Sequence, residues 1–137
     1  MRKYFSFVVF FALVFFCFSS MALSAESVAV QDLKGKWSGK VVGIDGKSFS
    51  TFEVKIEITQ QNNSRLLGTI QFAKNKPQTI IGLVYNDDEM QLVTETTTFE
   101  GGVYIKEGST YYSGVCKRTK GNGLEAAIGK YTLIKSQ

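Results

Sequence analysis

Phe52-Glu53-Val54-Lys55-Ile56-Glu57-Ile58-Thr59 alternates without interruption, each even position apolar and each odd one charged or polar. Successive side chains of a β-strand point to opposite faces, so this stretch is a strand with one dry face and one wet face. Working outward from it, the same pattern predicts strands over 35–43, 49–59, 65–73, 78–85, 89–96, 98–106, 109–118 and 124–135. The breaks between them, Gln60 to Ser64, Lys74 to Pro77, Asn86 to Glu89, Lys106 to Ser109 and Lys120 to Gly123, are rich in Asn, Asp, Gly and Ser, which suit tight turns.

Consecutive strands joined by short turns form an antiparallel meander. Eight of them can close into an up-and-down barrel that leaves no edge exposed, a flattened sandwich being the alternative. The predicted class is therefore all-β, an eight-stranded barrel. Asp32-Leu33-Lys34-Gly35 is expected to add one helical turn before the first strand. No stretch is long and periodic enough for a substantial α-helix.

The chain starts with Arg2 and Lys3, continues through an apolar run from Tyr4 to Phe18, and reaches small residues at Ala22, Ser24 and Ala25. That is the three-zone pattern of a secretory signal peptide. The apolar run falls short of the roughly 20 residues a spanning helix needs, and no positive charges follow it, so no stable membrane span is expected. Cleavage after Ala25 divides the chain into a 1–25 signal and a single 26–137 domain with a short lead-in, exported to the periplasm or secreted. Cys17 is preceded by bulky Phe16, which does not suit lipoprotein processing. It leaves with the signal, and Cys116 remains as the sole cysteine, a small buried apolar residue rather than half of a disulfide.

Loss of Arg2 and Lys3 leaves 14 basic against 12 acidic residues, too near neutrality to imply a nucleic-acid partner. Lys117, Arg118 and Lys120 read as a solvated hairpin end. The absence of histidine removes the commonest general base and zinc ligand, so neither a His-dependent nucleophile nor a His-based metal site can be built. Asp87, Asp88 and Glu89 fall in a predicted turn and read as solvated rather than catalytic or calcium-binding. Asn62-Asn63-Ser64 fits a glycosylation sequon, relevant in a eukaryotic source. No enzyme, metal or cofactor is expected.

What remains is interior and surface. Gly68, Gly82, Gly114, Ala126 and Gly129 are positions where a barrel interior can be left open for one small ligand. Ile80 to Tyr85 is apolar on both faces, and of Tyr111 and Tyr112 one must point outward. An outward apolar face is expected to be covered by the lead-in, by a second copy or by a protein partner, with Ile81, Leu83, Tyr85, Tyr111 and Tyr112 as the candidate surface.

Leu33-Lys34-Gly35-Lys36-Trp37-Ser38-Gly39 opens the domain with a Gly-x-Trp at the start of the first strand. Here the sequence resembles the calycins, the small β-barrels that include lipocalins and avidins, in which that tryptophan plugs one end. Lipocalins tend to place an arginine over it from the last strand; this chain has Lys130 and Lys135 there. The resemblance implies a non-enzymatic barrel for a small apolar or amphipathic ligand, with inward aromatics among Trp37, Phe52, Phe72, Phe99, Tyr104 and Tyr131. The alternative is a protein-interaction module, an inhibitor or envelope assembly component, using the outer face of strand 78–85. Mass spectrometry of the exported protein should find an N-terminus at or within about three residues of Glu26; retention of the first 20 residues would overturn the signal.

Overall fold

The computed structural model describes residues 31–46, 48–119 and 126–137. The leader, the lead-in before Gln31 and the Lys120 to Gly123 turn lie outside these residues. The strands are β1 (Gly35–Asp45), β2 (Ser48–Asn62), β3 (Arg65–Phe72), β4 (Gln78–Tyr85), β5 (Glu89–Val93), β6 (Thr97–Lys106), β7 (Ser109–Arg118) and β8 (Ala127–Lys135). Each pairs antiparallel with its neighbour in sequence, and β1 pairs with β8 to close the barrel. The alternating stretch in β2 behaves as its pattern demands: Val54, Ile56 and Ile58 are buried, while Glu53, Lys55 and Glu57 face water.

Two ends result, and they differ. At the end where β1 begins, Trp37, Leu33, Ile58, Leu66, Met90, Tyr112 and Leu133 fill the interior. Asp32 to Gly35 is not the expected helical turn. Residues 32–34 run without regular structure across this end and Gly35 begins β1; Leu33 is buried and its carbonyl accepts a hydrogen bond from Trp37 Nε1 at 3.0 Å. A β-bulge between Ile58 and Gln60 shifts the parity of β2, so Gln61, opposite buried Leu66, turns toward the interior face. Its side chain then holds the lead-in from both sides, accepting from Leu33 N at 2.7 Å and donating from Nε2 to the Gln31 carbonyl at 2.9 Å. Lys135, beside Trp37 in the β1–β8 ladder, donates from Nζ to the Asp32 carbonyl at 2.8 Å. Lys130 is on the outer face. Gly35 makes the corner from cap to strand at a φ of 121°, a conformation other residues rarely adopt.

Several glycines in the wall mark close approaches of neighbouring strands. A Cβ at Gly114 would lie 2.0 Å from the Glu100 carbonyl oxygen, and one at Gly101, its partner across β6–β7, 2.0 Å from that of Ser113. The strands approach there because side chains are missing, which lets so small a barrel curve. A Cβ at Gly68 would be equally tight against the Glu57 carbonyl oxygen, one at Gly82 would lie 2.5 Å from Leu92 Cδ2, and Ala126 is exposed, so the expected interior room is not found at these positions or at Gly114; of the five, Gly129 lines an open space.

The outer faces of β1 and β2 present Lys36, Lys40, Glu53, Lys55 and Glu57. A wall of such residues does not face lipid in a membrane-spanning barrel. Among the described residues no helix is long and apolar enough to cross a membrane. Trp37→Ala removes the plug and the anchor of the lead-in together; it should cost about 3–5 kcal/mol in chemical denaturation. A denaturant midpoint and slope equal to those of wild type would show Trp37 to be peripheral.

Candidate functional site

At the opposite end the described residues leave the barrel open. The β3–β4 and β5–β6 connections and the facing ends of β1, β2, β7 and β8 lie there, and a cavity of about 360 Å³ enters between them. Its wall is apolar, from Val41, Phe52, Phe72, Cys116 and Ala127, and polar side chains of Ser50, Asn75, Gln78, Thr96 and Arg118 ring its mouth. The β5–β6 lip is rigid by its own hydrogen bonds: Thr97 N donates to Thr94 Oγ1 at 2.9 Å, Thr94 N to the Thr97 carbonyl at 2.8 Å, and Thr119 N ties the β7 end to the Thr96 carbonyl at 3.1 Å. Ala73, after β3, adopts a φ of 48° that alanine seldom takes, held by its N–H donating to the Glu53 carbonyl at 2.7 Å.

An aromatic column leads inward from this mouth. Phe52 meets Phe72 edge-on at 6.2 Å, Phe72 stacks on Phe99 at 6.0 Å, Phe99 meets Tyr131 at 5.1 Å, and Tyr131 meets Tyr112 at 4.8 Å. Offset and edge contacts at these spacings are favourable beyond the area they bury. Of the aromatics expected to face a ligand, Phe52 and Phe72 line the cavity. Phe99 and Tyr131 are buried behind them, and Trp37 is at the far end.

Tyr104 departs from its expected inward position. Phe99, Gly101 and Val103 take the inward parity of β6, so Tyr104 points out and stacks on Tyr111 at 5.4 Å. Tyr112, expected to be a candidate for the outer surface, is buried, and its hydroxyl donates to the Met90 carbonyl at 2.9 Å. Ile81, Leu83 and Tyr85 do face out, Ile81 at 57% exposure. Sequence reasoning missed Cys116 and Arg118 as lining residues. They share the parity of Tyr112 and Gly114 and lie at the mouth end of β7, a signal available only once the inward face of that strand is known.

The acidic Asp87, Asp88 and Glu89 lie at the closed end and are exposed. Among the described residues no group of three or more His, Cys, Asp or Glu could hold a metal. Burial pushes the Cys116 thiol up from its ordinary pKa, leaving it a weak nucleophile at neutral pH.

Burial also raises the Tyr112 and Tyr131 phenols far above their usual range, and for Tyr131 the neighbouring Tyr112 adds to the effect. The Tyr131 hydroxyl is buried without a hydrogen-bond partner.

No protein-family model matches the chain, and no curated protein matches it significantly. Among solved structures, that of EF1p2_mFAP2b bound to DFHBI is similar, at 14% identity and a TM-score of 0.49, over 80% of this chain and 97% of that one.

Because the folded state holds both phenols protonated while the unfolded chain ionises them near pH 10, their contribution to stability is intact below about pH 10 and is lost as pH rises. Each steepens that loss by up to about 1.4 kcal/mol per pH unit. Urea titrations from pH 8 to 11 should show Tyr131→Phe flattening the alkaline slope at little or no cost at neutrality, since no hydrogen bond is lost. Tyr112→Phe should flatten it while costing about 1 kcal/mol for the Met90 contact. Slopes equal to wild type in both variants would show that neither ring titrates differently on unfolding.

Proposed function

We propose that the protein is an exported, calycin-like binding barrel that takes a small apolar or amphipathic ligand into the mouth between β1, β2, β7 and β8, without catalysing a reaction. The cavity carries this reading. About 360 Å³ with an apolar wall and a polar rim falls near the low end of the roughly 300–1,000 Å³ typical of ligand sites. A body desolvated against Phe52 and Phe72 and a polar end left at Asn75, Gln78 and Arg118 describe an amphipathic occupant. Support for the calycin reading comes from the closed eight-stranded meander and from Trp37 plugging the far end. The export reading rests on the Met1 to Ala25 pattern, and periplasm or extracellular space is the corresponding location.

A second reading, a protein-interaction module, has its own observation. Leu67, Ile81 and Val93 form a row across the outer faces of β3, β4 and β5, with Leu83 and Tyr85 beside it. Nothing among the described residues covers it.

An apolar fluorescent probe should bind the purified protein saturably and slow thiol labelling of Cys116, followed on its own peptide so that Cys17 does not interfere. Ala127→Trp, which fills the mouth, should weaken the probe at least about tenfold, or 1.4 kcal/mol. Labelling of Cys116 unaffected by the probe would defeat the ligand reading. Light scattering showing a dimer that Ile81→Lys dissociates would favour the second.

A further inference from the structure

We propose that the open end of the barrel docks on an anionic lipid surface through the outer side of β1, β2 and β8. Phe49, Ile44 and Ile128 are direct cross-strand neighbours in one outward row at the rim, with Val42 one step behind on β1. They are exposed, Phe49 at 80%, Ile128 at 56% and Val42 at 50%. Singly, such residues need no explanation; a contiguous row at one end of a molecule does.

Cations border the row. Lys117 continues it on β7 beside Ile128, and Lys130 lies beside Val42. Lys130 is set back from Ile128 by two residues of strand, roughly 7 Å at about 3.4 Å each. That offset matches the roughly 5–10 Å by which an apolar edge enters the headgroup boundary, which leaves the ammonium at phosphate level. The β3–β4 loop brings exposed Lys74 and Lys76 to the same end. Lys117 is paired with Glu100 at 3.2 Å, and Glu100 stands in the same cross-strand row as Lys130 through Val115, so this pair is close to neutral and Lys130, Lys74 and Lys76 carry the attraction. The apolar row on β3 to β5 lacks this arrangement, since its flanks carry Arg65, Gln91 and Glu89 and no cluster of one sign.

Ile44 and Ile128 also line the cavity, so docking sets the apolar opening against the acyl boundary. The proposal stands on the outer face and does not require the cavity to be occupied.

The test is sedimentation of the purified chain with phosphatidylcholine vesicles, with and without phosphatidylglycerol. Wild type and variants carry the same N-terminus, so any contribution from the Tyr4 to Phe18 run cancels. Binding should require the anionic lipid and weaken at least about tenfold in Lys130→Glu and in Phe49→Asp. Phe49 lies outside the cavity lining, so Phe49→Asp should leave circular dichroism and probe binding unchanged, which separates a failure of docking from a failure of the fold or of the ligand site. Phe49→Trp should bind as wild type, with indole emission shifting to the blue on vesicles, because Trp37 is already buried. Equal sedimentation of Phe49→Asp and wild type, or no sedimentation with either vesicle, would overturn the proposal. So would a concentration-dependent dimer that Phe49→Asp abolishes in the absence of vesicle binding, since a second copy would then own the row.

Discussion

The ladder between β1 and β8, running from Trp37 beside Lys135 to Asp45 beside Ala127, joins the first strand of the domain to the last. Without it both strands would present unpaired N–H and C=O groups along their length, and the inward residues of both would lose half their neighbours. Closure at this strand number leaves an interior just wide enough for side chains. Each inward position is then under pressure to be large where the barrel is wide and absent where strands bend. The Gly101–Gly114 pair meets the second condition, with the Tyr131 hydroxyl in the space a side chain at Gly101 would need.

Closure also makes the two ends inequivalent. The chain enters at one end, and its own lead-in can be laid across it there: Leu33 plugs, Trp37 and Gln61 tie it down, and Lys135 adds a charge-assisted hydrogen bond. No such segment is available at the other end from the described residues, so the inward positions near it, Val41, Phe52, Phe72 and Cys116, line a space instead of a packed core. The densest packing of the barrel is thus away from the mouth.

Between these ends the aromatic column from Phe52 to Tyr112 is continuous, so the wall of the cavity is backed by rings that themselves rest on the plugged end. The unpartnered hydroxyl of Tyr131 is the one polar atom in that column without a hydrogen bond. It fills the space beside Gly101, where a side chain on that residue would otherwise lie.

How much of this was legible in the sequence depends on parity. In β2 the even residues from Phe52 to Ile58 are apolar and the odd ones polar or charged, so the inward face could be read directly; Asn, Asp and Gly marked the turns, although β2 runs on past the expected break to Asn62 and β5 stops at Val93 rather than at residue 96. In β6 and β7 the runs Gly101-Gly102-Val103-Tyr104 and Tyr111-Tyr112-Ser113-Gly114 offer no such contrast. Their faces were fixed only by pairing to Phe99, Cys116 and Tyr131, which is why Tyr104 turned out and Tyr112 in. The Asp32 to Gly35 segment was ambiguous for a related reason: its conformation is set by Gln61, about 30 residues away, turned inward by a bulge that alternation alone does not reveal. Local chemistry determined the strands and their order because alternation and turn residues act between neighbours. The cavity, the inward face of ambiguous strands and the exposed rim of Phe49, Ile44 and Ile128 were decided by tertiary structure, because each depends on which distant residues closure brings side by side.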